Sequence, residues 1–315
     1  MLSRTAASLF WLARYMERAE SVARVLSAGW RMASLTRSLG TSSNEWHSTL
    51  VAAGCAEAWG ERGAEVTRAE VVEFLVRDPH NQSSIFSCLE TARRNARAVR
   101  TALTADMWET LNETSLQLRA FDPVPENGDR LLDFLEWVKD RSLLFQGSYA
   151  NTMLRNDAFY FTQLGTYLER AESTARILDV KYHVLLPRNE GVGGPLDYGH
   201  WESILRAVSA LRAYQWVYHE PLAPWRIADL LILRPEMPRS LVACFGQVLA
   251  YLDRLAECYG GRRGECHRRA GEIHARLRYG RIDAIFEDGL HEFLSRFIAD
   301  STRLGRDIDA FYLLG

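Results

Sequence analysis

The sequence predicts an all-α protein built as a multi-helix bundle. Nearly every long segment repeats its apolar residues with the 3.6-residue period of an α-helix, and no segment shows the alternation of a half-buried strand. Apolar residues make up 47% and charged residues 25% of the 315 residues, which is ordinary for a soluble globular protein. A charged helical segment also occurs twice, so the bundle is expected to contain an internal repeat. These observations predict roughly nine to eleven helices.

Five helices are predicted before residue 122. Ser3 is a suitable N-cap for the first, because its hydroxyl can accept a hydrogen bond from a free backbone N–H group. Thr67 and Glu70 form a capping box that opens the third. Asp78 ends that helix, because the residue before a proline avoids the helical conformation. The predicted helices are 3–39, 45–59, 67–78, 83–103 and 104–121, with loops at 40–44 and 122–128.

A long helical stretch is predicted at 129–186, with a break near Gly147 or at 155–157. It is followed by residues 187–195, which begin and end with proline and contain three glycines. Such a composition is typical of a linker, because both residue types interrupt regular structure. The stretch therefore ends where the clearest linker of the chain begins.

Four helices are predicted after the linker. Asp197 is expected to cap the first of them, and Pro221 and Pro224 are expected to form a turn. Pro238 is placed at a helix start, where a missing N–H group is tolerated. The predicted helices are 197–218, 239–259, 264–279 and 282–312.

A twelve-residue charged signature occurs at 15–26 and again at 167–178, 152 residues later. Nine of the twelve positions are identical. Helical periodicity explains a repeated apolar spacing, but it does not explain the same glutamates and arginines at the same offsets. We therefore expect one helical domain, 1–315, with pseudo-equivalent halves at about 1–121 and 129–315 and the linker at 187–195.

Each copy of the signature has an apolar stripe with small alanines at its centre, which lets two helices approach closely. The charged residues lie on the flank of that stripe. Two such helices packed about a pseudo-two-fold axis would place each pair of glutamates near the arginines of the other copy. The stripes are Leu9, Leu12, Met16, Ala19, Ala23, Leu26 and Leu164, Leu168, Ala171, Ala175, Leu178. The charged residues on this flank are Glu17, Glu20, Arg24 and Glu169, Glu172, Arg176, and the adjacent Arg18 and Arg170 are further candidates for the cluster.

Three interpretations of these charged residues remain open. The first is a reciprocal, partly buried Glu–Arg network that determines how the helices align. The second is a polar pocket for a zwitterionic or peptide-like ligand. The third is a carboxylate-bridged metal site, but such sites use Glu-x-x-His. Here the corresponding residue is glutamate in both copies, and an arginine one turn later would compete with a cation.

Two further groups of polar residues are candidates for a site. Arg155, Asn156 and Asp157 precede an aromatic run and the second signature, and Asp157 suits either a helix cap or a site. Arg239 and Ser240 lie in the first turn of a predicted helix, where free backbone N–H groups attract anions.

Asp179 and His183 are four residues apart and share one face of a helix. A carboxylate at that spacing can orient an imidazole or bind a metal together with it. A hydrogen bond within the helix is the commoner outcome. No metal and no other cofactor are therefore predicted.

Several function classes find no support in the sequence. The net charge of −2 provides no general attraction to nucleic acid or to an anionic membrane. The five cysteines form no C-x-x-C pair, which argues against a zinc ribbon and a disulfide framework. No signal peptide and no membrane-spanning stretch is evident, so a cytoplasmic location is expected. The glycine-rich nucleotide motifs and the G-x-S-x-G motif are absent.

The two Glu-Arg-Ala-Glu copies make the chain resemble the alpha-E domain proteins, bacterial all-helical proteins named for a Glu-Arg motif. The stretches that carry the resemblance are 1–26, 154–183, 194–218 and 227–244. Members of this family are typically encoded beside, or fused to, circularly permuted ATP-grasp proteins and transglutaminase-like proteins. The resemblance therefore implies a pathway of ATP-dependent amide or peptide bond chemistry.

The leading hypothesis is an accessory or partner protein of an ATP-grasp-type amide or peptide ligase. Its Glu/Arg cluster would order the core or hold an amino-acid or peptide-like ligand. An alternative is a stand-alone enzyme that acts on a peptide or amide and uses Glu17, Glu20, Glu169 or Glu172 as acid or base. A carboxylate-bridged metal protein is a further alternative. The catalytic residues, if the chain has any, do not follow from the sequence.

Overall fold

A computed structural model describes residues 1–38, 45–62, 65–121, 128–183 and 194–313. Within these ranges the regular elements are fifteen α-helices, one short 3₁₀ turn and a terminal π-helical segment, and no β-strand is present. The all-α prediction is confirmed. The helices are α1 (Ser3–Ser38), α2 (Glu45–Ala52), α3 (Ala56–Arg62), α4 (Arg68–Val76), α5 (Ile85–Ala98), α6 (Ala105–Ala120), α7 (Gly128–Thr152), α8 (Asp157–His183), α9 (Pro195–Ala207), α10 (Leu211–Tyr218), α11 (Pro224–Ile232), α12 (Leu241–Cys258), α13 (Glu265–Arg278), α14 (Ile282–Asp288) and α15 (Leu290–Ile308).

The two signature helices, α1 and α8, form the centre of the molecule. They pack against each other more extensively than any other pair of described helices. Helices α5 and α7 cover α1, whereas α12 and α15 cover α8, and α2 contacts both central helices. All eleven predicted stripe residues are buried. The apolar stripes therefore form the seam on which the rest of the bundle is assembled.

The backbones of α1 and α8 approach each other closely at Gly165. A Cβ atom at this position would lie 2.3 Å from the carbonyl oxygen of Phe10. That distance is far below van der Waals contact, so only glycine allows this approach. The close crossing also brings the charged flanks of the two helices within reach of each other.

Several predicted helix starts are confirmed by side-chain capping. The hydroxyl of Thr67 accepts a hydrogen bond from the Glu70 backbone N–H at 3.4 Å. Thr104 accepts from the Met107 N–H at 3.3 Å and begins α6 in the same way. The predicted break at 155–157 is also confirmed, whereas α7 continues through Gly147 without interruption.

Three predicted helices are each broken in two by a residue with a positive φ angle. The predicted helix 45–59 is interrupted at Gly54 (φ 69°), 197–218 at Ser209 (φ 58°) and 282–312 at Gly289 (φ 96°). A residue in this region cannot continue a right-handed helix. These three breaks, together with α11, which was not predicted, explain why the described ranges contain fifteen α-helices, more than the sequence predicts.

Predictions near three prolines are also corrected. Gly194 is the N-cap residue of α9, Pro195 follows it, and Asp197 lies inside the first turn, where it pairs with Lys181 at 2.6 Å. Pro224 begins α11 rather than forming only a turn. Helix α12 begins after the cap Ser240, beyond the expected start at Pro238. Proline suits the first helical turn, which explains why α9 begins at Pro195 and α11 begins at Pro224.

The predicted loop 40–44, residues 122–127 of the predicted loop 122–128, and residues 187–193 of the predicted linker lie outside the described residues. Gly128, the last residue of the second predicted loop, instead begins α7. The division into pseudo-equivalent halves stays a prediction. None of the described helices combines the length and the apolar character that crossing a membrane requires.

Candidate functional site

The charged flanks of α1 and α8 meet in a pair of reciprocal ion pairs. The Nε and Nη2 atoms of Arg18 donate to Glu169 Oε1 and Oε2 at 2.6 and 3.0 Å. In return, Nε and Nη2 of Arg170 donate to Glu17 Oε1 and Oε2 at 2.9 and 2.8 Å. Such two-point contacts between guanidinium and carboxylate groups are the strongest and most directional ion pairs in proteins. Each copy of the signature thus binds the other.

Two more arginines surround Glu169 and Glu172. Arg14 donates from Nε to Glu169 Oε2 at 2.6 Å and from Nη2 to Glu172 Oε2 at 3.2 Å. Arg176 donates from Nη2 to Glu172 Oε2 at 3.3 Å. Arg14 was not among the predicted site residues. It lies one turn before Arg18 on the same face of α1, and this spacing could have revealed it.

Glu17 and Glu20 are surrounded in a similar manner by Arg24 and Arg239. Arg24 Nε donates to Glu20 Oε1 at 2.8 Å, and its Nη1 binds the Ala207 carbonyl oxygen at 2.8 Å. Arg239 Nη1 donates to Glu17 Oε1 at 3.0 Å, and its Nη2 donates to Glu20. Arg239 was predicted as an anion-binding residue, and the structure brings it to the carboxylates of α1.

Helix α7 completes this side of the network with two uncharged side chains. Ser142 Oγ donates to Glu20 Oε2 at 2.6 Å. Gln146 Nε2 donates to Glu17 Oε2 and Glu20 Oε2, both at 3.1 Å, and its Oε1 accepts from Arg170 Nη2 at 2.8 Å. Neither residue was predicted, because a serine and a glutamine on a separate helix carry no distinctive pattern.

The cluster contains four carboxylates and six guanidinium groups. The glutamates are between 0% and 3% exposed. With all groups ionised, the six arginines exceed the four glutamates by two positive charges. This net positive charge favours an additional anion at the edge of the cluster. Separately, Glu172 Oε1 is buried and has no hydrogen-bond partner among the described residues, so it can accept a further hydrogen bond.

The arginines keep Glu20 and Glu169 ionised. Burial alone would raise the pKa of Glu20, but the charges of Arg239 and Arg24 outweigh it and lower the pKa to about 2. Burial likewise opposes ionisation of Glu169, yet Arg18 and Arg14 hold its pKa well below the usual range. Because a general acid must carry a proton near neutral pH, these two carboxylates are poorly suited to that role.

The free energy of unfolding is expected to fall as the pH is lowered from about 5 to about 2. An unfolded glutamate has a pKa of about 4.3, whereas the folded-state pKa values of Glu20 and Glu169 are depressed. Their stabilising effect is therefore complete above the unfolded pKa and is lost as the pH falls through the folded pKa. Urea unfolding at a series of pH values measures this. Glu20→Gln should show a smaller pH dependence, and an equal one would contradict the assignment.

A small polar pocket of about 180 Å³ opens beside the Glu169 end of the cluster. Its wall includes Arg18 and Arg176, each with 24% of its side chain exposed, and Glu169. At Gly54 a Cβ atom would lie 3.2 Å from Arg176 Nε, so the turn between α2 and α3 closes tightly against this arginine. The remaining wall residues are Ser21, Val22, Ala52, Ala53, Ser83 and Ser173.

The residues 155–157 do not join the cluster. Arg155 donates to the Ala150 carbonyl oxygen at 2.7 Å, and Asn156 accepts from the Phe159 N–H at 3.4 Å, at the start of α8. Asp157 Oδ2 accepts from the Tyr259 hydroxyl at 2.9 Å and lies 3.1 Å from the amino group of Met1. These contacts hold the end of a helix in place.

Asp179 and His183 form a separate group at the other end of α8. His183 Nε2 lies 3.4 Å from Asp179 Oδ2, as the helical spacing predicts. His291, from the first turn of α15, places its Nδ1 2.8 Å from Asp179 Oδ1. The sequence did not predict this histidine, which is more than a hundred residues away in the chain.

Comparison with known proteins identifies related sequences. Residues 1–313 match the model of the Alpha-E family, described as a predicted alpha-helical domain with a conserved ER motif. Uncharacterized proteins of Mycobacterium bovis and of two strains of Mycobacterium tuberculosis are 24% identical over 325 aligned residues. The alignment covers 97% of this chain, and the chain spans 36% of the length of these relatives. No solved structure shows significant similarity to it.

Proposed function

The chain belongs to the Alpha-E family, and from this membership we propose that it is a ligand-binding helical component of an ATP-grasp-type amide or peptide ligase system. In this role it holds an amino acid or the end of a peptide, and a transglutaminase-like protein is a second possible partner. The chain carries none of the common nucleotide-binding motifs, so activation by ATP is assigned to the partner. In the mycobacterial relatives the matching part is joined to further sequence, which supports a role beside other components.

The observation that carries the ligand-binding role is the pocket bounded by Arg18, Arg176 and Glu169. An α-amino acid is a zwitterion, with a carboxylate and an ammonium group attached to the same carbon atom. The two guanidinium groups suit the carboxylate, because their planar N–H donors match its two oxygens. Glu169 suits the ammonium group by opposite charge.

The charge balance of the cluster favours such a ligand. The six arginines exceed the four glutamates by two. The cluster therefore attracts the carboxylate group of the ligand, and a zwitterion as a whole adds no further net charge to it. Three serines, Ser21, Ser83 and Ser173, line the same pocket and can donate or accept hydrogen bonds. A polar ligand would therefore find partners on most sides.

The size of the pocket limits the ligand. A volume of about 180 Å³ is close to that of an engineered cavity of about 150 Å³ that holds one benzene molecule. A single small amino acid or the terminal residue of a peptide fits this space, whereas a longer segment would have to extend out of the pocket.

Calorimetric titration with free L-amino acids and short peptides tests the proposal. We expect binding by the unaltered protein and a loss of about tenfold or more in affinity for Arg176→Gln, because one charge-assisted contact is removed. Arg206→Gln is a matched control, since Arg206 forms a similar i,i+4 pair with Glu202 but is far more exposed. This variant should bind like the unaltered protein.

A second variant separates ligand binding from stability. Ser83→Phe would fill the pocket from its wall without removing a charged group of the cluster. It is expected to abolish binding while the thermal unfolding temperature changes little. If neither variant alters binding, or if no amino acid or peptide binds, the pocket is not the ligand site.

Gentle affinity purification from the native host, followed by mass spectrometry, tests the partnership separately. Recovery of an ATP-grasp-type protein in stoichiometric amount is expected. Its consistent absence would contradict the ligase association while leaving the ligand measurement valid.

A further inference from the structure

The C-terminal turn of α8 and the first turn of α15 bring three metal-ligating side chains together. They are Asp179, His183 and His291, and their donor atoms all lie within 4.8 Å of one another. We propose that these residues form a binding site for a divalent transition-metal ion of the Zn²⁺ type. The site involves none of the pocket residues, and it does not depend on the proposed function.

The spacing of the donor atoms suits one ion. Asp179 Oδ1 lies 2.8 Å from His291 Nδ1, and Asp179 Oδ2 lies 3.4 Å from His183 Nε2. Zn²⁺ binds nitrogen and oxygen donors at about 2.0–2.2 Å, so tetrahedral coordination separates two donors by roughly 3.3–3.6 Å. Side-chain movements of about 1 Å or less would therefore bring all three donors onto one ion.

The donors are held in place by their surroundings. Asp179 is buried, and the ring of Tyr182 stacks on the imidazole of His291 with a centroid distance of 3.8 Å and an interplanar angle of 5°. This stacking restricts the rotation of the His291 ring. Ordered donors lose less conformational entropy when an ion binds than mobile ones do.

The charge at Asp179 distinguishes this group from the Glu/Arg cluster. Among the described residues, no lysine or arginine forms an ion pair with Asp179. Lys181, two residues away, pairs with Asp197 instead. In the cluster every glutamate is bound by arginine, which would exclude a cation. Among the residues that the structure describes, the carboxylate of Asp179 pairs with the imidazoles of His183 and His291, and both can serve as metal ligands in their neutral form.

The donor set indicates the class of ion. Two imidazole nitrogens and one carboxylate oxygen suit Zn²⁺ and related transition metals, whereas Mg²⁺ and Ca²⁺ prefer oxygen ligands throughout. His183 and His291 keep about a quarter of their side chains exposed, 25% and 26%. An ion held by three protein ligands would therefore retain an open position toward solvent for water or another ligand.

Titration of the full-length, untagged, EDTA-treated protein with Co²⁺ tests this site, because Co²⁺ bound in place of Zn²⁺ gives visible absorption bands. We expect saturation at one equivalent, and competition by Zn²⁺ should abolish the bands. His291→Ala should weaken binding by more than about 100-fold, since loss of even an outer-shell partner costs roughly 10–100-fold. His47→Ala, which removes an exposed histidine on α2, is the control and should bind as the unaltered protein does.

Asp179→Asn provides a second variant that preserves the shape of the side chain. It should also lose Co²⁺ binding, while far-ultraviolet circular dichroism shows an unchanged helical content. Absence of stoichiometric binding would show that the three residues form only a hydrogen-bonded group. Binding that survives both His291→Ala and Asp179→Asn would place the ion elsewhere, and either result overturns the proposal.

Discussion

Replacing Glu169 by glutamine is expected to lower the free energy of unfolding by about 3–5 kcal/mol, the usual cost of breaking a buried ion pair. Glu169 is almost fully buried and accepts three hydrogen bonds from Arg14 and Arg18. Glutamine has nearly the same shape but carries no charge. The partly buried Arg18 would then lose its carboxylate partner, and the buried Arg14 would keep only Glu172 to offset its desolvation. Equilibrium unfolding in urea measures the loss.

The matched control is Glu257→Gln, which removes the carboxylate of an exposed ion pair with Arg254. This change should be nearly neutral, because exposed pairs contribute about 0–1 kcal/mol. Glu17→Gln should resemble Glu169→Gln, since Glu17 accepts the reciprocal two-point contact from Arg170. If Glu169→Gln proves as stable as the control, the cluster does not hold the two central helices together.

Gly165→Ala is expected to lower the free energy of unfolding by about 2 kcal/mol, although alanine favours helix by about 1 kcal/mol over glycine. The added Cβ atom would lie 2.3 Å from the Phe10 carbonyl oxygen, and a backbone atom cannot move aside as a flexible side chain can. The two central helices would have to separate and lose packing along their whole seam. Thermal or urea unfolding measures the effect.

Gly147→Ala is the control for this change. Gly147 lies within α7, and a Cβ atom there would meet nothing within 4 Å. Without a clash only the gain in helix propensity remains, so this variant should be stabilised by about 0.5–1 kcal/mol. Opposite signs at the two glycines are the expected result. A stabilising effect at Gly165 would show that α1 and α8 can adjust their separation without loss.

The helical architecture was predictable because its cause is local. Apolar spacing, capping hydroxyls and prolines act over three or four residues, and each can be read from a short window of sequence. Thr67 and Thr104 begin their helices as predicted. The breaks at Gly54, Ser209 and Gly289 were missed, because helical periodicity continues across a single residue that adopts a positive φ angle.

The cluster was only partly predictable. The repeated signature correctly identified the glutamates and four of the six arginines of the network. It could do so because helix periodicity explains a repeated apolar spacing but not charges repeated at equal offsets. Arg239 was proposed for a different reason, as an anion-binding residue at a helix start. Arg14, Ser142 and Gln146 were not predicted, since nothing in their local sequence distinguishes them from other polar helix residues.

The sequence by itself therefore determined that the chain is helical and that it belongs with the Alpha-E proteins. It also determined which faces of α1 and α8 are apolar and which carry charge. Only the tertiary structure decided that Arg14 reaches Glu169 and Glu172. It likewise decided that Arg239 and Gln146 converge on Glu17 and Glu20, and that His291 reaches Asp179. The physical reason is that periodicity acts along one helix, whereas a site is formed by packing between helices that are distant in the chain.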